Sequence, residues 1–246
     1  MHHAEMGLHL CYDFHLPGTT SASDAARLTT ALHDRARTLP FDKVSDIVSV
    51  DETMTGAPKV SIGWTYRRLE DVALYFVSST REDLYRASVG ISPDDYQTRV
   101  DVPDDAPVMA YAFAVAPGRG CEPATFGLVQ LRGASEPSAW SWHYCCKTQY
   151  ASVVSDDHLL RCHCSLVTLL DHAQELGITL AVGDETGYWE SRDPQKLIDA
   201  VTDMNRIVAG FAGQFTDAVR DAGLDSHQVQ GSIFEHPDFE RLESEE

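Results

Sequence analysis

The sequence predicts an α+β protein, and three patterns in its 246 residues predict it. A strictly alternating segment opens the chain, apolar residues recur at helical spacing after Ser155, and short β-branched and aromatic segments lie between turn residues in the middle. Strand, helix and strand at the start, with helix, strand and helix at the end, suggest two ferredoxin-like α/β halves, about 1–116 and 117–223, sharing a sheet or core. They form a single compact unit, 1–223, followed by an acidic tail, 224–246, in which Ile233, Phe234 and Phe239 are the apolar anchors.

The elements follow in order. Leu8, Leu10, Tyr12, Phe14 and Leu16 face one way and His9, Cys11, Asp13 and His15 the other, the period of a half-buried strand, which Pro17 and Gly18 end. Ser21 with Asp24 resembles a capping box, and Ala25, Leu28, Leu32 and Ala36 then mark a helix from about Ser23 to Thr38. Val44 to Val50, Asp71 to Val77, Val108 to Val115 and Phe126 to Leu131 read as strands. Arg81 to Pro107 and Arg132 to Ala139, rich in Pro, Gly, Ser or Asp, read as loops, with a short helix around Arg81 to Arg86. The aromatic stretch Trp140 to Tyr150 reads as a strand, with His143, Cys145, Lys147 and Gln149 on one face and Trp142, Tyr144, Cys146 and Tyr150 on the other. Ser155 caps a helix that Gly177 closes, with Asp156 and Asp157 complementing the macrodipole of its first turn. Ile178 to Val182 is a short buried strand. The longest helix begins at Pro194, capped by Asp193, and follows Leu197, Val201, Met204, Val208, Phe211, Phe215 and Val219 to Ala222.

Composition excludes several classes of function. With 19 Lys and Arg against 38 Asp and Glu, the net charge is −19, which repels phosphate backbones and anionic membranes, so neither nucleic acid nor a membrane is an expected partner. Sparse lysine and abundant Asp fit a solvated acidic surface. At 43% hydrophobic and 23% charged residues, the chain has enough apolar side chains to fold. No apolar run is long enough for a membrane span, and His2, His3 and Glu5 stand where a signal peptide would be basic and greasy, so a cytoplasmic protein is expected. Its six cysteines then read as thiols. A phosphate-binding glycine loop, a dinucleotide fingerprint and a G-x-S-x-G elbow are all absent from the sequence, and no cofactor is expected.

Three groups of residues can carry chemistry. On the helix after Ser155, Leu159, Leu166, Leu170 and Ala173 define the apolar face, and Cys162 and His163 fall within it. His163 is then either a hydrogen-bonded core histidine or the acid-base group of a pocket. Asp184, Glu185, Gly187, Tyr188, Trp189 and Glu190 leave the carboxyl end of a buried strand, a place where side chains converge on ligands. Asp184 alternatively caps its loop while Trp189 packs on the last helix. The third group is His143, Cys145, Cys146, Lys147, Gln149 and Tyr150. Together they suggest an enzyme acting on a small anionic metabolite in a polar pocket. His163 and Glu185 move the proton, Lys147 and Arg161 hold the anion, and Gln149, Asp184, Tyr188 and Trp189 line the site. Cys146 becomes a nucleophile there if Lys147 or His163 acidifies it.

The rival reading is a non-catalytic acidic protein that binds a basic protein partner, anchored by Trp140 to Tyr150. His158 and Cys162, four apart on one helix, invite a metal, and so, more weakly, do His9, Cys11, Asp13 and His15. The scatter of the remaining thiols nevertheless predicts neither a stoichiometric metal nor a disulfide. The runs Gly120-Cys121-Glu122-Pro123-Ala124, Cys146-Lys147-Thr148-Gln149-Tyr150-Ala151, Leu160-Arg161-Cys162-His163 and Asp184-Glu185-Thr186-Gly187-Tyr188-Trp189-Glu190 resemble those of a family of uncharacterised bacterial proteins. The likeness covers roughly Pro117 to Phe215. It implies that these residues belong together and implies no activity.

Overall fold

The computed structural model describes residues 8–50, 68–88, 91, 108–131 and 139–221. The tail with Ile233, Phe234 and Phe239, most of both expected loops, and the side chains of Val208, Phe211, Phe215 and Val219 lie outside the described residues. The elements are β1 (His9–Leu16), α1 (Ala22–Ala36), β2 (Lys43–Val44), β3 (Val48–Val50), α2 (Leu69–Ser88), β4 (Val108–Ala116), β5 (Ala124–Leu131), β6 (Trp140–Lys147), a 3₁₀ turn (Gln149–Val153), α3 (Asp156–Glu175), β7 (Thr179–Asp184), α4 (Tyr188–Ser191) and α5 (Pro194–Asp221). Helices and one antiparallel sheet make this an α+β protein, as the patterns predict.

The sheet order is β2-β4-β5-β6-β1-β7, with β3 also on β4. The two halves share this one sheet. The amino-terminal half does not close on itself, because β1 pairs antiparallel with β6 and β7 of the other half. β6, α3 and β7 form a split βαβ unit with β1 in the gap, and the aromatic, alternating character of β1 and β6 explains their pairing. Tyr12 lies opposite Tyr144 and Phe14 opposite Trp142. These rings join Phe113, Phe126, Leu128 and Trp140 in the core, and the Tyr12 and Phe126 rings stack at 5.1 Å.

Three further differences have local causes. Asp71 to Val77 is not a strand but the first half of α2. Its Val72, Ala73, Val77 and Thr80 recur at helical spacing and are buried, so tertiary burial of one helical face overrides the β propensity of the individual residues. The expected strand Val44 to Val50 is broken: Val44 lies opposite Val115 but Val48 opposite Ala112, which leaves three residues facing two across a bulge. The strand after Trp140 stops at Lys147 and becomes the 3₁₀ turn.

The capping box at Ser21 forms, with its Oγ accepting from the Asp24 N–H. Ser155 caps α3 in the same way at His158 N–H. The other face of β6, β1 and β7 stays polar: Asp13, His15, His143, Thr179 and Ala181 are exposed on it.

Candidate functional site

His163 points inward, as the helical pattern predicts, and is 1% exposed. Its Nε2 lies 3.2 Å from Asp184 Oδ2 and its Nδ1 2.9 Å from Thr148 Oγ1. A carboxylate only accepts, so Nε2 carries a proton toward Asp184, and Nδ1 pairs with the Thr148 hydroxyl. Asp184 Oδ1 also accepts from the Thr186 N–H at 2.9 Å and the Thr186 hydroxyl at 2.6 Å, and Oδ2 from the Trp189 N–H at 2.8 Å. Burial alone would raise the Asp184 pKa. The hydrogen bond and charge of His163, followed by the donors of Thr186 and Trp189, outweigh it and hold the carboxyl below the usual carboxylate range. Every polar atom of this chain of groups has a partner within it, so it ties the end of β6, α3, β7 and the start of α4 together. The loop-capping reading of Asp184 and the core-histidine reading of His163 describe this arrangement.

The other expected site residues lie elsewhere. Glu185 follows Asp184 but turns to the opposite side, where its Oε2 accepts from the His9 N–H at 2.7 Å and lies 3.1 Å from His9 Nδ1. Lys147 is paired across the sheet with His9, and its backbone N–H donates to Glu122 Oε2 at 2.9 Å. Gln149 is buried and accepts from the Leu8 N–H. Cys146 is fully buried, and burial, then Glu122 and Asp184, push its thiol far up, so it holds its proton at neutral pH. Tyr188 packs edge-on against His163, with its phenol pushed up to about 12 by burial first and then by Cys164. The Trp189 ring carries the Arg192 guanidinium 4.3 Å above it. Alternation along β6 and β7 thus separates Lys147 and Glu185 from His163, Asp184 and Cys146, and the residues expected in one pocket are divided. Trp140, Trp142 and Tyr144 are core residues, which removes them as an exposed anchor for a partner.

Arg161 belongs to a second cluster. Its guanidinium donates to the carbonyls of Pro40 and Pro117, lies 3.5 Å from Asp42 Oδ1, and donates to His158 Nδ1 at 3.2 Å. That contact leaves the His158 proton on Nε2, which is 2.9 Å from the Arg119 carbonyl and 3.7 Å from Cys162 Sγ. The buried Cys162 thiol donates to the Pro117 carbonyl at 3.4 Å. Its pKa is drawn down to about 7, chiefly by a hydrogen bond from the Cys121 thiol. Burial opposes that, and Arg161 and His158 assist it. The same contact, with burial, drives the Cys121 pKa upward. The turn at Gly118 lies directly over this cluster, so that a Cβ there would come within 2.6 Å of Cys162 Sγ and 2.7 Å of Arg161 Nη2. The helical spacing of His158 and Cys162 signals their contact in the sequence. No spacing signals that Cys121 joins them; only the motif resemblance, which groups the run around Cys121 with the run around Cys162, links them in the sequence.

The expectation that all six cysteines are thiols is overturned. Cys11 and Cys145 lie opposite each other on β1 and β6, with Cα atoms 4.0 Å apart, and form a disulfide. Alternation puts Cys11 with His9, Asp13 and His15 and Cys145 with His143 and Lys147, but the register that brings the two cysteines together is a tertiary fact. No group of three His, Cys, Asp or Glu side chains among the described residues is arranged to hold a metal. No described helix is long and apolar enough to cross a membrane. No protein-family model, curated protein or solved structure matches the chain. The motif resemblance therefore stands on the quoted residues alone.

Proposed function

We propose that the chain is a thiol enzyme that reduces a small hydroperoxide, with Cys162 as the attacking thiolate and Cys121 as the resolving thiol. The observation that carries this reading is the pairing of two cysteines from different segments, one acidified by the other and by the His158 and Arg161 side chains. Acid-base chemistry assisted by cysteine is kept from the sequence expectation, but its centre moves from His163 to Cys162. The anionic substrate is replaced, because Arg161 already faces Asp42 and two carbonyls while Lys147 lies on the other side of the sheet. Full burial of Cys162 favours a substrate of a few atoms.

In the proposed sequence the thiolate attacks the distal peroxide oxygen, the O–O bond breaks, and the alkoxide leaves as the alcohol on taking a proton. The resulting sulfenic acid is attacked by the Cys121 sulfur, the S–O bond breaks, and water leaves as the disulfide forms. A dithiol restores the two thiols by becoming a disulfide itself. His158, with its proton on Nε2, stabilises the thiolate.

Peroxide treatment followed by peptide mapping tests this. A Cys121–Cys162 disulfide is expected, and Cys121→Ser should stop at a sulfenic acid on Cys162. An unmodified Cys162 after exposure that oxidises ordinary thiols would refute it. The binding of a basic protein partner retains the net charge of −19 as its support.

A further inference from the structure

On the open face of β1 and β6, two adjacent cross-strand pairs form a square: Cys11 opposite Cys145, and Asp13 opposite His143. Asp13 Oδ1 is 2.7 Å from His143 Nδ1, so the carboxylate accepts the Nδ1 proton and leaves the Nε2 lone pair free to bind. That Nε2 lies 3.8 Å from Cys145 Sγ. In a tetrahedral zinc site, bonds of about 2.3 Å to sulfur and about 2.0 Å to nitrogen put those two ligand atoms about 3.5 Å apart. The imidazole and Cys145 are thus close to chelating distance already. A carboxylate behind the histidine is the partner that orients a metal-bound imidazole and strengthens it as a ligand. The side chains of His143 and Asp13 are 58% and 56% exposed, so an ion from solution reaches them.

We infer that, once its disulfide is reduced, this face binds one zinc ion through Cys11 Sγ, Cys145 Sγ and His143 Nε2, with Asp13 holding the imidazole and water in the fourth position. A dithiol breaks the S–S bond and is itself oxidised to a disulfide, leaving two thiols. Zinc then takes both sulfurs as thiolates and two protons leave. The sulfurs must open from a covalent bond to about 3.8 Å, the separation that tetrahedral Zn–S bonds require. Rotation about the Cα–Cβ bonds is the movement that the inference requires of them. The face therefore has two exclusive states, an oxidised one with no metal and a reduced one that holds it. The expectation of no metal rested on the scatter of the thiols, and the register of β1 with β6 removes that premise for this pair. The inference is independent of the chemistry proposed for Cys162.

Cobalt(II), which has sulfur-to-metal charge-transfer absorption, reports on the site. The full chain is titrated before reduction and after mild reduction with a phosphine that is then removed. One cobalt per reduced chain, displaced by zinc, and none on the oxidised chain is the expected result. Cys11→Ser should abolish the band, and Asp13→Asn should weaken binding about 10–100-fold. His143→Ala changes an exposed side chain and so keeps the fold readable, and it should weaken binding at least tenfold. Equal binding by the oxidised chain, a band that survives Cys11→Ser, or a His143→Ala affinity equal to the parent's would overturn the inference, as would no binding by the reduced parent.

Discussion

Asp184 keeps its charge inside the protein because four donors converge on its two oxygens. Replacing it by Ala would leave His163 Nε2, the Thr186 hydroxyl and two backbone N–H groups without an acceptor. A loss of about 3 kcal/mol or more is expected, read from urea unfolding. The pH dependence has a definite sign. The folded pKa is depressed, so the contribution is complete above the unfolded value near about 4 and is lost as pH falls through the lower, folded value. Wild type should therefore shed stability below about pH 4 more steeply than Asp184→Ala, and parallel acid profiles would contradict the assignment. At Gly118 space sets the constraint. Ala would press on Cys162 Sγ and Arg161 Nη2, displacing the acidifying groups at a cost of about 1–3 kcal/mol. Alkylation of Cys162, which needs the thiolate, should rise with pH around about 7 in wild type and around a higher value in Gly118→Ala. An unchanged profile in the variant would show that the turn leaves the thiol alone. The inward direction of His163 was legible in the sequence because helical spacing fixes it. That Thr148 and Asp184 occupy both its nitrogens was not, since those residues reach it from other segments.

At the scale of elements, local signals were read where local physics decides. Ser21 and Ser155 each place a hydroxyl at a helix start, and both caps form. The alternation of β1 and β6 follows from one buried and one polar face. The reading of Asp71 to Val77 failed because valine, tyrosine and phenylalanine favour strands by composition, while α2 is selected by the burial of Val72, Ala73 and Val77 on one side. The break between β2 and β3 shows how a side chain can replace backbone in a ladder. Ser45 N–H donates to the Ala114 carbonyl at 2.8 Å, and the buried Ala114 N–H donates back to Ser45 Oγ at 2.9 Å. His33 Nε2, 2.9 Å from the Ser45 carbonyl, binds α1 to the same bulge. Ser45→Ala would orphan the Ala114 N–H, and a loss of about 1–3 kcal/mol is expected. Hydrogen exchange should locate the damage, with faster exchange at Ala114 than at the strand centre around Ala112. Uniform change along β4 would refute the local role of the hydroxyl.

At the scale of the whole molecule, the Cys11–Cys145 disulfide joins residues 134 apart in sequence and fastens β1 into the carboxyl-terminal half of the sheet. The same connection joins the two halves of the chain, since the first strand can pair only after β6 and β7 exist. Closing so long a loop in the unfolded chain removes conformational freedom worth up to about 5 kcal/mol in the chain-entropy treatment. The net charge of −19 acts the other way, because self-repulsion favours expansion and a covalent link limits how far the unfolded chain can swell. Reduction should therefore lower the urea midpoint, and more at low ionic strength than in salt that screens the repulsion. A Cys11→Ser, Cys145→Ser double variant should match the reduced parent, with a steeper denaturant slope than the oxidised parent because its unfolded state exposes more surface. If the double variant instead unfolds at the midpoint and slope of the oxidised parent, the cross-strand bond contributes nothing beyond the hydrogen bonds of β1 to β6, and the topology alone holds the two ends of the chain together.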